Sequence, residues 1–427
     1  MLNFRLHTPI GVTDLLAEET RIKKALYRKI EKVFESYGYN EVESPMYEYI
    51  EVFSDEKMGS INPKQMFRFF DKDGNLLALR SDMTPPIARI AATQYTNSNN
   101  PLRFCYFGNA FRDSESYQGK RCEFARAGIE LMGAYGAEAD AEVIAIAVKS
   151  ILAVGIKELK LNIGQVKFFS AILDETGLDN KTVEELKDAI GHRNYVGMEK
   201  ILENCSIPES TRKLFSELPK LVGGRNIIEY TRKLTSSKDA LEALDEMETL
   251  YDLLEVYGIA KYVSFDLSMV NKLNYYTGII FRAYTYGTGY SIIDGGRYDN
   301  LVSQFGKNTP AVGFGIKIDE VIKAAYKENP SLAEGTTKAM IASAKEGKKT
   351  AIETAELYRA NGINVETSFI TGDFHKNVSY MREMNYESLL YFKDSENITY
   401  VRNTEEYGVI QADIKKSDLI FNSEEEA

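Results

Sequence analysis

The sequence predicts an α+β protein in which an antiparallel sheet carries flanking helices, a helical insertion interrupts it, and a small α/β domain follows. Three observations predict this. Two pairs of short apolar runs lie within the first 133 residues, each joined by a polar turn or loop as in a β-hairpin. Residues 165–258 change character to a Leu-, Glu- and Lys-rich stretch with repeated helix signals. Beyond residue 336, strand-like and helix-like segments alternate. At about 150 residues per domain, 427 residues should make two or three domains, placed at 1–330, with the insertion at about 165–258, and at 336–421.

In chain order, Ile22, Ala25, Leu26, Ile30, Val33, Phe34 and Tyr37 recur at three and four, the mark of an amphipathic helix, and Gly38 stops it. MFRFF and NLLALR flank an Asp-Gly turn signal and read as a hairpin. Leu102–Phe111 and Glu123–Gly133 form a second pair, joined by RDSESYQGKRC, a loop long enough to suggest function. Glu138–Val154 reads as a helix of alanines and β-branched residues, and LKLNIG as a strand. After the insertion, YVSFDLS, YYTGIIFRAYTYG and GYSIID read as strands. ENPSLAEG reads as a linker. KAMIASA, KKTAIETAELYRANG, INVETSFI, a helix near Lys376–Met384, ESLLYFK and ITYVRN then alternate, and the acidic NSEEEA is expected to be disordered.

Composition narrows the function classes. The residues are 44% hydrophobic and 27% charged, which suits a globular protein with a sizeable core and excludes a fibrous one. A net charge of −11 argues against binding nucleic acid through bulk electrostatics, so tRNA is not an expected partner. Cys105, Cys122 and Cys205 lack ligand spacing, and His7, His192 and His375 sit in no metal-binding arrangement, so neither metal nor cofactor is expected. With no secretory leader pattern and no apolar run of about 18 residues, the expected setting is cytoplasmic, without membrane attachment.

Several constellations could carry chemistry. YSIIDGGRYDNLVSQFGKNTPAVGFG brings a Gly-Gly pair into an Arg-Tyr-Asp turn, where backbone can approach a ligand; the same pattern also serves packing. NKLNYYTG puts Tyr275 and Tyr276 on opposite faces of a strand, one able to enter a pocket. LALRSDMT places Arg80 and Asp82 on one face at a strand end, a pattern that an ordinary surface ion pair shares. Glu130 lies inside the apolar run AGIELMG. A buried carboxylate needs a partner, which makes Glu130 the strongest single candidate on physical grounds.

Taken together, these strings resemble histidyl-tRNA synthetases and their relatives from PIGVTDLL to about Lys327. GGRYDNL (Gly295–Leu301), AVGFG (Ala311–Gly315), LNYYTG (Leu273–Gly278), LRSDMT (Leu79–Thr84) and GNAFR (Gly108–Arg112) carry the resemblance. It implies a class II aminoacyl-tRNA synthetase-like antiparallel sheet, a dimer interface near YGYNEVESPMYE, and a degenerate anticodon-binding domain at the C-terminal end. In active members an arginine stands at the position of Asn271, and another, binding the ATP phosphates, stands at Glu320. RDSESYQGKR also departs from the Arg-Glu-Arg-Pro pattern. A carboxylate facing a triphosphate is repulsive, so adenylation is not expected.

A synthetase-like body with a disabled ATP site is similar to the regulatory subunits of ATP phosphoribosyltransferase. That resemblance implies a short-form ATP phosphoribosyltransferase catalytic subunit as partner, a homodimer within a hetero-oligomer, and histidine as effector. The partner would supply the chemistry, so no catalytic residue is assigned to this chain. An active histidyl-tRNA synthetase is the alternative, and a binding module for tRNA or a protein kinase a third reading. Carried over residue by residue, Glu130 and Tyr276 match positions that hold an imidazole, Asp82 and Thr84 those near an α-amino group, and Tyr298 a further pocket tyrosine. Arg112 is retained where ATP and the amino-acid carboxylate meet, and Tyr275, Gly295 and Gly296 complete the implied histidine-like pocket. Arg126 stands where the synthetases have a glutamine beside the α-amino group, and a cation there repels an ammonium.

Overall fold

The computed structural model describes residues 4–54, 62–98, 100–113, 121–270, 276–333, 337, 339–404 and 408–419. The chain divides into two compact units at the Ala333–Glu334 bond.

The first unit begins with the amphipathic helix that the periodicity requires. Helix α1 (Ala17–Ser36) buries Ile22, Leu26, Ile30 and Phe34 along one stripe, and Gly38, at φ 76°, turns the chain just beyond its end. There follow β1 (Asn40–Glu41), β2 (Tyr47–Tyr49), the short α2 (Glu51–Ser54), and β3 (Arg68–Phe70) with β4 (Leu76–Leu79). Strands β2, β4 and β3 make a small antiparallel sheet of their own. Helix α3 (Thr84–Gln94) is absent from the sequence reading. Its two prolines look like a break, yet they sit in the first turn, whose N–H groups have no helical partner in any case. The long hairpin β5 (Leu102–Phe111) and β6 (Glu123–Met132), the apolar α4 (Ala137–Ala153) and β7 (Leu159–Gln165) come next.

The insertion comprises α5 (Val166–Asp174), α6 (Asn180–Gly191), α7 (Tyr195–Glu203), α8 (Glu209–Glu217), β8 (Val222–Gly223), α9 (Asn226–Arg232) and α10 (Lys238–Val256). It is neither wholly helical nor set apart. Strand β8 pairs with β9 (Val263–Asp266) at the end of the central sheet, and Leu186, Phe215 and Leu244 join the same core as α1 and α4. Strands β10 (Ile279–Thr285), β11 (Ile293–Arg297) and β12 (Ala311–Lys317) and helix α11 (Ile318–Glu328) complete the unit.

The central sheet has nine strands in the order β1-β5-β6-β12-β11-β10-β7-β9-β8. It is antiparallel except where β1 runs parallel to β5 and β7 parallel to β9. Side chains alternate across it. Ala127, Ile129 and Leu131 of β6 and Val312, Phe314 and Ile316 of β12 enter the main core with α1, α4, α10 and α11. The intervening residues, Arg126, Gly128 and Glu130 on β6 and Gly313, Gly315 and Lys317 on β12, face the other way. That second face carries the site.

Two local expectations change. The strand assigned to GYSIID begins only at Ile293 and runs on through the Gly-Gly pair to Arg297, because β11 is held between β10 and β12 along that stretch. The first six residues of ENPSLAEG belong to the first unit and are not a linker: α11 runs through Glu328, and the tight turn Pro330–Ala333 packs on α1 and α11, with Leu332 against the core.

The second unit contains β13 (Ala339–Ser343), α12 (Lys348–Ala360), β14 (Val365–Thr367), α13 (Phe374–Glu383), β15 (Ser388–Phe392), β16 (Asn397–Thr404) and β17 (Gly408–Lys415). The sheet order is β14-β13-β15-β16-β17, parallel over the first three strands and antiparallel over the rest. Helix α12 packs with Ile341, Leu390 and Phe392 on one face, and α13 with Met340, Leu389 and Tyr391 on the other. Strand β17 was not foreseen, since a mostly exposed edge strand carries no apolar alternation. NSEEEA lies outside the described residues. No described helix is long and apolar enough to cross a membrane.

Candidate functional site

A cavity of about 490 Å³ opens on the second face of the central sheet. Its wall brings together Asp82, Thr84, Arg112, Glu130, Tyr276, Gly295 and Tyr298 from the sequence-derived set. Glycine makes the room. At Gly296 a Cβ would come within 2.7 Å of the Tyr276 ring, so this position lets Tyr276 lie against the strand without itself lining the cavity. Tyr275 and Asn271 lie outside the described residues, as do residues 114–120 of the polar loop.

Glu130 is the closed end. It is only 1% exposed; Thr84 Oγ1 donates to its Oε1 at 2.7 Å and the Tyr298 hydroxyl donates to its Oε2. Burial outweighs these two hydrogen bonds and pushes its carboxyl up to about 8, with Asp82 adding to the rise. Among the described residues no cation pairs with it; its partners are hydroxyls. Burial thus favours the neutral form of this acid around neutral pH. Helix α3 supplies Thr84 as its first residue, the turn after β11 supplies Tyr298, and β6 supplies Glu130 itself.

The Arg80–Asp82 pair is not formed. Strand β4 ends at Leu79, so the alternation does not extend to these residues. Arg80, 5% exposed, turns inward and donates to the Asn109 and Ser44 carbonyls at 2.7 Å each. Asp82 instead accepts from the neighbouring Met83 N–H at 2.7 Å, just ahead of α3, and faces Arg112 at 3.5 Å. Arg112 follows the last residue of β5 and is steadied by the Ser81 carbonyl at 2.9 Å. Tyr276 does not sit in a strand either: β10 starts at Ile279, after Thr277 has donated its N–H to the Arg297 carbonyl at 2.8 Å.

Arg297 of the GGRYD string is structural. It points to the core side, bonding Asp140 at 2.6 Å and Asp299 at 3.1 Å, both ion pairs closed off from the cavity. Glu320 also departs from expectation. It sits in the first turn of α11, bonded to Lys323 at 2.8 Å, and is not in the cavity wall; the adjacent Asp319 is tied to Arg121 and the Ala125 N–H.

The sequence reading missed a charged cluster at the outer end of the cavity. Lys317 binds Asp294 at 2.6 Å and Ser291 at 2.5 Å, and Arg282 lies 3.7 Å from Asp294. Burial alone would raise Asp294, but the Lys317 ammonium and Ser291 hydroxyl outweigh it and hold the carboxyl below its ordinary value. Burial lowers Lys317. Extending the two-residue alternation outward from Glu130 through Gly128 to Arg126, and across to Lys317, would have found this cluster. No group of three or more metal-ligating side chains occurs among the described residues.

The family model described as histidyl-tRNA synthetase matches residues 11–321. A relative from Acetivibrio thermocellus named ATP phosphoribosyltransferase regulatory subunit is 40% identical, over 93% of this chain and 95% of its own. A solved structure from Bacillus halodurans, titled ATP phosphoribosyltransferase regulatory subunit/histidyl-tRNA synthetase, superposes with TM-score 0.81 at 33% identity, covering 92% of this chain and 99% of that one. A histidyl-tRNA synthetase from a Nostoc species gives the same TM-score at 22% identity, covering 97% of each chain, which speaks to the fold alone.

Proposed function

The chain belongs to the family of ATP phosphoribosyltransferase regulatory subunits, which shares the histidyl-tRNA synthetase fold, and from that membership we propose that it performs no aminoacylation of its own. It assembles, as a homodimer within a larger cytoplasmic complex, with a short-form ATP phosphoribosyltransferase catalytic subunit. It activates that subunit and passes on feedback from histidine. The partner carries out the joining of ATP and phosphoribosyl pyrophosphate, the first step of histidine biosynthesis.

The observation that supports histidine sensing is Glu130. A buried acid held by two hydroxyls, with no cation beside it among the described residues, suits an imidazole, to which it can donate or surrender its proton. Asp82 and Thr84 then stand near an α-amino group, Arg112 near the carboxylate, and Tyr276 and Tyr298 frame the ring. Gly295 and Gly296 keep the strand beneath it thin. Mixing the purified chain with a short-form catalytic subunit tests the assembly: light scattering should show one larger species, and phosphoribosyl-ATP formation should rise severalfold and fall again as histidine is added. Separate species at micromolar concentration, with no change in rate, would refute it.

A further inference from the structure

Arg126 stands directly opposite Lys317 across β6 and β12, on the face that lines the cavity. Such neighbours have Cβ atoms about 5 Å apart, and like charges there repel. Lys317 is compensated by Asp294 at 2.6 Å. Arg126 makes no ion pair among the described residues, since Asp82 is engaged by Arg112 and Asp294 by Lys317. A third cation completes the crowding: the Arg112 and Arg126 guanidinium carbons lie 5.7 and 4.8 Å from the centroid of one ring, Phe124. Among the described residues the cavity wall thus carries four basic side chains, Arg112, Arg126, Arg282 and Lys317, against the carboxyls of Asp82, Asp294 and the closed-in Glu130.

We infer that Arg126, steadied with Arg112 on Phe124, forms the anion-binding end of the site and reads the free carboxylate of an imidazole-bearing amino acid. This rests on the proposal that the cavity senses histidine. A planar guanidinium presents two parallel N–H donors to a carboxylate, and an anion placed there relieves the repulsion from Arg112 and Lys317. With Glu130 reading the ring at the closed end and Arg126 reading the carboxylate at the mouth, the site recognises both ends of its ligand.

Calorimetry tests the assignment with two probes, L-histidine and L-histidinol, the same molecule with a hydroxymethyl group in place of the carboxylate. Wild type should prefer L-histidine by about tenfold or more, the discrimination expected for one charge-assisted pair. Arg126→Gln should weaken L-histidine by a similar factor and leave L-histidinol unchanged or tighter, so that the preference collapses. Arg126→Lys, which keeps the charge but not the fork, should retain part of it. Unaltered melting curves establish that each variant is folded. If wild type binds both probes equally, or a folded Arg126→Gln keeps the preference, the assignment is overturned while histidine sensing stands. If wild type binds neither, histidine sensing itself is refuted, and the assignment with it.

Discussion

Glu130 and Gly313 face each other across β6 and β12, and a methyl group on Gly313 would lie 1.9 Å from Glu130 Oε2. Gly313→Ala must therefore move either the carboxyl or the strand. Overpacking of this kind destabilises by about 1–3 kcal/mol. Histidine binding should fall well beyond what that loss explains, because the Thr84 and Tyr298 contacts are broken together. Urea unfolding and calorimetry on the same preparation check this; a variant with wild-type affinity would show that Glu130 plays no part in binding.

Stability should carry the signature of the Glu130 proton. Its folded-state pKa, about 8, is raised above the ordinary 4.5, so between those values the folded chain holds a proton that the unfolded chain has released. Stability contributed by the site therefore declines as pH rises from about 4.5 to about 8 and levels off beyond, by an amount on the order of a few kcal/mol. Glu130→Gln should remove the decline. Urea titrations of both proteins at pH 5 and pH 8.5 should show the wild type losing ground to the variant at the higher pH; parallel curves would contradict a neutral Glu130.

Histidine affinity should itself peak over a narrow pH range. A free imidazole titrates near ~6.5, and Glu130 near about 8, so between the two the empty site and the ligand together bring the single proton that the complex needs. Above that range a proton must be taken up, and below it one must be released, and affinity drops on both sides. Glu130→Gln should abolish the alkaline limb. Calorimetry across pH 5.5 to 9 should find the maximum between about 6.5 and 8; a flat profile in wild type would count against an imidazole on this carboxyl.

The Arg297–Asp140 pair should matter to folding and not to ligand. Both side chains are at most 10% exposed, and Arg297 also holds Asp299. Replacing Asp140 by Asn leaves a buried guanidinium under-compensated, which typically destabilises by about 3–5 kcal/mol. Denaturant unfolding should register that loss, while histidine affinity measured below the unfolding range stays near wild type. A selective loss of affinity with unchanged stability would move Arg297 into the site.

No histidine-dependent exchange of pyrophosphate into ATP, and no charging of tRNA, is expected. The resemblance to histidyl-tRNA synthetases implies arginines in active members where this chain has Asn271 and Glu320, and Glu320 is bonded to Lys323 outside the cavity wall. Loss of two phosphate-directed cations removes several kcal/mol of transition-state stabilisation. Exchange clearly above a no-enzyme blank would restore the synthetase reading.

Glu130 was legible because one acid in the run AGIELMG contradicts its surroundings, and such a contradiction needs a local remedy. The β3–β4 hairpin was legible from its Asp-Gly turn, and β5 and β6 from their paired apolar runs. Asp82 lines the cavity, as the resemblance implies, but not through the alternation that set it beside Arg80: that stops at Leu79, and the bend into α3 turns Asp82 toward Arg112. Lys317 and Asp294 were invisible because each looks like an ordinary surface charge until the register of β6, β12 and β11 sets them on one face. Arg297 was masked by its glycines, which draw attention to the ligand side while the guanidinium serves the core.

The strand that bears Glu130 has partners from distant parts of the chain. Strand β5 meets β6 within one hairpin, but β12, on the other side, ends only at Lys317. A nascent chain emerging from the ribosome thus presents β6 with one bare edge while some 180 further residues are made. Until then neither Gly313 nor Tyr298 exists to enclose the carboxyl, and an exposed apolar strand edge invites pairing with another chain. Translation that stalls or terminates ahead of β12 should leave an aggregation-prone fragment, so the ligand site and the safety of the growing sheet are completed by the same late segment.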